Sequence, residues 1–128
     1  MDAAPLLDTV DSDEGVVAIA QRYLGSDRRV RFHVMAGAEF LRGADPMQFD
    51  LIYADAWPGK FSYLEEALAL LRHGGMYVID DLLPQANWPE GHAAKVPALI
   101  NDIERRDEFA TSRLAWASGL MLVVRRAD

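Results

Sequence analysis

Cysteine is absent from the 128-residue chain, which removes disulfides, thiolate metal sites and a cysteine nucleophile at once. No apolar run approaches the roughly 18 residues that a membrane-spanning helix needs. No basic segment followed by an apolar stretch opens the chain in the manner of a secretory leader. The expectation is a cytoplasmic protein with no membrane partner. Positive charge is also scarce. Lysine and arginine number 13 against 20 aspartates and glutamates, for a net charge of −7. Binding to nucleic acid needs basic residues to replace the counterions of the phosphate backbone, so nucleic acid is not an expected partner. The cluster Arg28-Arg29-Val30-Arg31 reads as a solvated loop. Glycines are isolated apart from Gly74-Gly75, and no dinucleotide-binding glycine fingerprint is found, which argues against a dehydrogenase.

What remains is ordinary globular material, 51% hydrophobic and 26% charged, enough for one domain over residues 1–128. Residues 6–10 (LLDTV) and 30–34 (VRFHV) read as strands around a helix at 14–24, with Ser12 or Asp13 as its cap and Gly25 as its stop. A short helical turn is expected at 38–41 and a third strand at 50–54. Ser62 and Glu65 have capping-box spacing for a helix at 62–71. Gly74-Gly75 then turns the chain into a strand at 76–79. A helix follows at 93–106, with Pro97 near its first turn, where proline is tolerated. Two strands, 112–116 and 120–125, flank Ala117-Ser118-Gly119 as an antiparallel hairpin. Strands alternating with helices predict an α/β fold, a Rossmann-like, mostly parallel sheet with an antiparallel C-terminal edge.

Ligands of such sheets bind beyond the carboxyl ends of the strands, and three strands here run into acid: LDTVD at Asp11, LIYAD at Asp55 and MYVIDD at Asp80 and Asp81. Carboxylates gathered on one rim repel one another unless a cation, a hydroxyl or a basic group intervenes. Asp11, between a strand and a helix, is placed to accept ribose hydroxyls. Asp55, Asp80 and Asp81 offer the oxygen ligands that Mg²⁺ prefers, and such a cation would acidify a substrate hydroxyl.

The segments TVDSDEGVVAIAQRYLG, FDLIYADAWPGKFSYLEEALALLRHGGMYVIDD and SGLMLVVRR resemble the class I S-adenosylmethionine-dependent O-methyltransferases, in particular the catechol and caffeoyl-coenzyme-A branch. The likeness runs from Leu6 onward. It implies methyl transfer to a hydroxyl of a small molecule, with S-adenosylmethionine as cofactor and Mg²⁺ as assisting metal. Asp55, Asp80 and Asp81 would be the metal ligands. Asp11 with Ser12 would hold the cofactor ribose, and Asp55 and Trp57 would lie beside the cofactor. The branch carries a general-base lysine soon after the metal aspartate. Lys60 is the nearest candidate here, displaced by Pro58-Gly59. Where the family has Asp-Asn, this chain has Asp80-Asp81.

Two departures stand beside the matches. Ala36, followed by Gly37, occupies the adenine-binding segment where the family carries an acid, at a cost of about 1 kcal/mol for one lost hydrogen bond. The glycine-rich first strand and loop have no counterpart, so the chain is expected to be an N-terminally truncated form. Loss of a central strand leaves unpaired edges, which implies a homodimer or other self-association. The alternative to an enzyme is a non-catalytic remnant that does not bind the cofactor.

Overall fold

Alternation in LDTVD and VRFHV produces two short parallel strands, β1 (Leu7–Asp11) and β2 (Val30–Val34), joined through helix α1 (Glu14–Leu24). The computed structural model describes residues 4–127, so the opening Met1 lies outside the described residues. The chain divides after Gly43 into two units.

In the first unit Asp13 caps α1, accepting from the backbone N–H groups of Gly15 and Val16. Of α1's apolar residues only Val17 is buried; Val16, Ile19 and Tyr23 remain exposed. Gly25 ends the helix with right-handed backbone, not the left-handed stop that glycine usually supplies there. A second helix, α2 (Gly37–Gly43), follows β2. Asp8 sits opposite Arg31 in the strand register. Its carboxylate accepts two bonds from the Arg31 guanidinium (2.8 and 2.7 Å) and lies 2.8 Å from His33 Nε2. Burial alone would raise the Asp8 pKa. The hydrogen bonds and charges of Arg31 and His33 outweigh it and hold the group below its ordinary 3.8.

A carboxylate depressed in the folded state stabilises fully above its unfolded pKa, and the contribution is lost as pH falls through the folded pKa. Asp8→Asn should therefore lower the urea midpoint at pH 7, and the gap to wild type should narrow as pH drops below about 4. Urea titrations across that range check this; a gap that stays constant with pH would show that the pair contributes no ionic stability.

The second unit holds β3 (Phe49–Ala54), α3 (Leu64–Ala69), β4 (Leu71–Ile79), α4 (His92–Glu104), β5 (Phe109–Leu114) and β6 (Leu120–Arg125). Its sheet has the order β3-β4-β6-β5; β3 and β4 run parallel, and β6 is antiparallel to both neighbours. Its core includes Leu71, Tyr77, Ile79, Met121 and Val123 from the sheet, and Val96, Leu99 and Ile103 from one face of α4. The fold class is the expected one, a Rossmann-like α/β architecture with an antiparallel C-terminal hairpin. The parallel strands belong to two sheets, however, and β3 is an edge strand with Leu51 60% and Tyr53 57% exposed.

Local differences have physical reasons. α3 starts at Leu64, and Ser62 and Glu65 form no capping box. Instead the Trp57 carbonyl gathers the N–H groups of Lys60, Phe61 and Ser62, so Ser62 belongs to a tight turn. Tyr63 takes the N-cap position with left-handed backbone (φ 55°). Gly74-Gly75 lies within β4, in a bulge between the pairs Phe49↔Leu71 and Leu51↔Met76. α4 begins at His92, placing Pro97 in its second turn, where it cannot donate to the Ala93 carbonyl. β5 begins three residues earlier than the sequence predicts, because its pairing with β6 runs from Phe109↔Arg125 to Leu114↔Leu120.

Candidate active site

Parallel pairing of Ala54 with Ile79 fixes the rim of the second unit. The Asp80 N–H donates to the Ala54 carbonyl (3.2 Å), so Asp55 and the pair Asp80-Asp81 leave the same end of adjacent strands. The sequence expectation of acids sharing a rim thus holds for these three.

Asp80 is held from several directions. The Tyr53 hydroxyl donates to Oδ2 (2.5 Å). The Ser118 hydroxyl and the Asp81 N–H (2.6 Å) both donate to Oδ1. Burial pushes the Asp80 carboxyl up, but these bonds and the Lys60 charge prevail and hold it below the usual range. The reciprocal effect appears on Tyr53, whose pKa is raised to about 12, first by the bond to Asp80. Asp81 has left-handed backbone (φ 65°), and its Oδ1 accepts from Trp88 Nε1 (2.7 Å).

Lys60 is 2% exposed, delivered beneath the rim by the Trp57–Ser62 turn. Its ammonium donates to the Asp80 carbonyl (2.6 Å). Burial lowers its pKa, opposed by the charges of Asp81, Asp55 and Asp80. Beside it lies an aromatic group. His92 is buried and stacks on Trp88 with centroids 4.3 Å apart, while Phe61 and Trp57 meet it edge-on at 4.9 and 6.1 Å. Lys95 Nζ lies 5.3 Å from the centre of the Trp57 ring. His92 Nε2 is 3.3 Å from the Asp81 carbonyl, and its Nδ1 is buried without a partner.

The other candidates lie in the first unit. Asp11 Oδ1 accepts from the Asp13 N–H (2.8 Å), so Asp11 also builds the turn that leads through Ser12 into α1. The Met35 N–H donates to the Asp11 carbonyl (3.1 Å), which places Asp11 at the same end of its sheet as Ala36 and Gly37. The Ala36 carbonyl accepts from the N–H groups of Glu39 and Phe40 in α2. Asp11 is exposed, and Ala36 offers no side-chain acceptor. The candidate residues therefore fall into two groups: Asp11, Ser12, Ala36 and Gly37 in the first unit, and Asp55, Trp57, Lys60, Asp80 and Asp81 in the second.

Comparison with known proteins adds the fold. No family model and no curated protein matches the sequence. Solved structures do match. A protein from Corynebacterium glutamicum superposes with a TM-score of 0.80 at 20% identity, over 96% of this chain and 62% of its own. The O-methyltransferase of Bacillus cereus in complex with SAH gives 0.80 at 18% identity, over 94% and 63%. The SAH-bound methyltransferase of Podospora anserina gives 0.77 at 17%, over 95% and 61%. The chain has the methyltransferase fold. It spans a little over three fifths of the length of these neighbours.

Within that methyltransferase fold the acids at the strand ends were legible in the sequence, but their partners were not. Tyr53, Ser118 and Trp88 approach Asp80 and Asp81 from a strand, a hairpin turn and a loop, at separations that no motif records. Among the described residues no three histidine, cysteine, aspartate or glutamate side chains converge as a metal-ligand set. No described helix is long and apolar enough to cross a membrane.

Proposed function

We propose that this chain serves S-adenosylmethionine-dependent methyl transfer to a hydroxyl of a small molecule. Buried Lys60 at a rim of three aspartates, on a methyltransferase fold, carries the reading. The cofactor supplies an electrophilic methyl group on a sulfonium. Within the first unit, Asp11 with Ser12 would receive its ribose and Ala36 with Gly37 would line its adenine side. Lys60 acts on the acceptor. Burial makes its neutral amine easier to reach, and that amine would take the proton of the acceptor hydroxyl. Alignment of oxygen and methyl supplies much of the rate advantage. Ala36, in place of an acid that could accept from adenine, favours one alternative, a folded remnant without cofactor affinity.

Isothermal titration with S-adenosylmethionine decides between them. Saturable binding is expected, weakened about tenfold by Asp11→Ala, the scale of one or two charge-assisted hydrogen bonds. No binding by a chain that melts cooperatively would overturn the proposal and establish the remnant.

A further inference from the structure

We infer that Asp80 and Asp81 are satisfied by the protein itself and that the rim they form with Asp55 does not take a divalent cation. A hard cation needs carboxylate oxygens with free lone pairs, several of them facing one point. Asp80 spends both oxygens on three donors, from Tyr53, Ser118 and the Asp81 backbone. Asp81 gives one oxygen to Trp88, and its left-handed backbone fixes its position relative to Asp80. Lys60 adds a buried positive charge on the Asp80 carbonyl, at the place where a second cation would feel its repulsion. Mg²⁺ would have to displace neutral donors and approach an ammonium, and the oxygens do not converge on a common point. The carboxylates of Asp80 and Asp81 are instead met by hydroxyl, indole and backbone donors, with the Lys60 ammonium beside them on the Asp80 carbonyl.

The inference rests on the methyltransferase reading only for its interest; its test does not. Titrating the whole chain with Mn²⁺, followed by electron paramagnetic resonance, should show no saturable site below millimolar concentration. Weak binding that Asp80→Asn leaves unchanged belongs to surface carboxylates and agrees with the inference. Micromolar, stoichiometric binding abolished by Asp80→Asn would overturn it. The double variant Tyr53→Phe, Ser118→Ala frees both Asp80 oxygens from side-chain donors and should raise Mn²⁺ affinity about tenfold, the scale of two hydrogen bonds that a cation no longer has to displace. A double variant with native circular dichroism and no gain would overturn the role given to those two hydroxyls. If it does not fold, the wild-type and Asp80→Asn titrations still decide the central claim. S-adenosylhomocysteine binding, measured on the same sample without metal, separates failure of this inference from failure of the methyltransferase reading.

Discussion

Ile79→Ala should destabilise the second unit by about 2–5 kcal/mol, the range for emptying a fully buried aliphatic position. Ile79 has no exposed surface, lies in β4 between β3 and β6, and pairs with Ala54 on one side and Met121 on the other. Neighbours held by two ladders cannot close the space left by the missing carbons, so the cavity cost adds to the lost transfer energy. Total stability of a domain is only about 5–15 kcal/mol, so this one side chain is a large fraction of it. Ile79 also immediately precedes Asp80, and slackening there should loosen the hydrogen bonds that Tyr53 and Ser118 make to that carboxylate. Ile79→Val is the matched control, with an expected loss of about 0.5–1.5 kcal/mol. Urea unfolding of the three proteins measures this. An alanine variant no worse than valine would mean that the centre of the sheet is loosely packed.

The second large effect is expected at Gly119. Its φ of +86° is strained for any other residue, and a Cβ there would stand 2.5 Å from Leu83 Cγ and 2.6 Å from Leu83 N. The leucine side chain could rotate away, but its amide is bonded to the Ser118 carbonyl (2.9 Å), and the Leu82 amide to that of Gly119 (3.1 Å). The hairpin turn must therefore separate from the 82–83 segment. Left-handed strain of about 1–2 kcal/mol and overpacking of about 1–3 kcal/mol together predict a loss comparable with the Ile79 cavity. Gly43→Ala serves as the control, since nothing lies within 4 Å of a Cβ at that position. Thermal melting of both variants tests the argument; equal midpoints would refute it.

Elements whose pattern is local were legible in the sequence. α1, β2 and β6 lie where periodicity places them, because each has a clear apolar rhythm and flanking turn residues. The departures come where tertiary demands override a local signal. Ser62 and Glu65 spell a cap, but the Trp57 carbonyl claims the Ser62 N–H for a turn that buries Lys60. Gly74-Gly75 spells a stop, but Leu71 is worth more as a buried strand residue than as a helix end. At the site, the aspartates announced themselves because strand ends are recognisable. Their donors did not, since Tyr53 and Ser118 are 65 positions apart and meet only through the sheet order. Buried His92 Nδ1 has no sequence signal beyond a histidine in a loop, and only packing among Trp57, Phe61 and Trp88 gives it significance.

Tyr53 belongs at once to the free side of the sheet and to the carboxylate of Asp80. Its ring lies on the edge strand, more than half exposed, while its hydroxyl ends on Asp80. Anything that covers the ring, and changes how readily the hydroxyl reaches Asp80, must act on the rim with some coupling free energy. By thermodynamic reciprocity, whatever competes for Asp80 acts on the edge with the same coupling free energy. A ligand on the Tyr53 ring and a competitor for Asp80 would then be linked through one phenol.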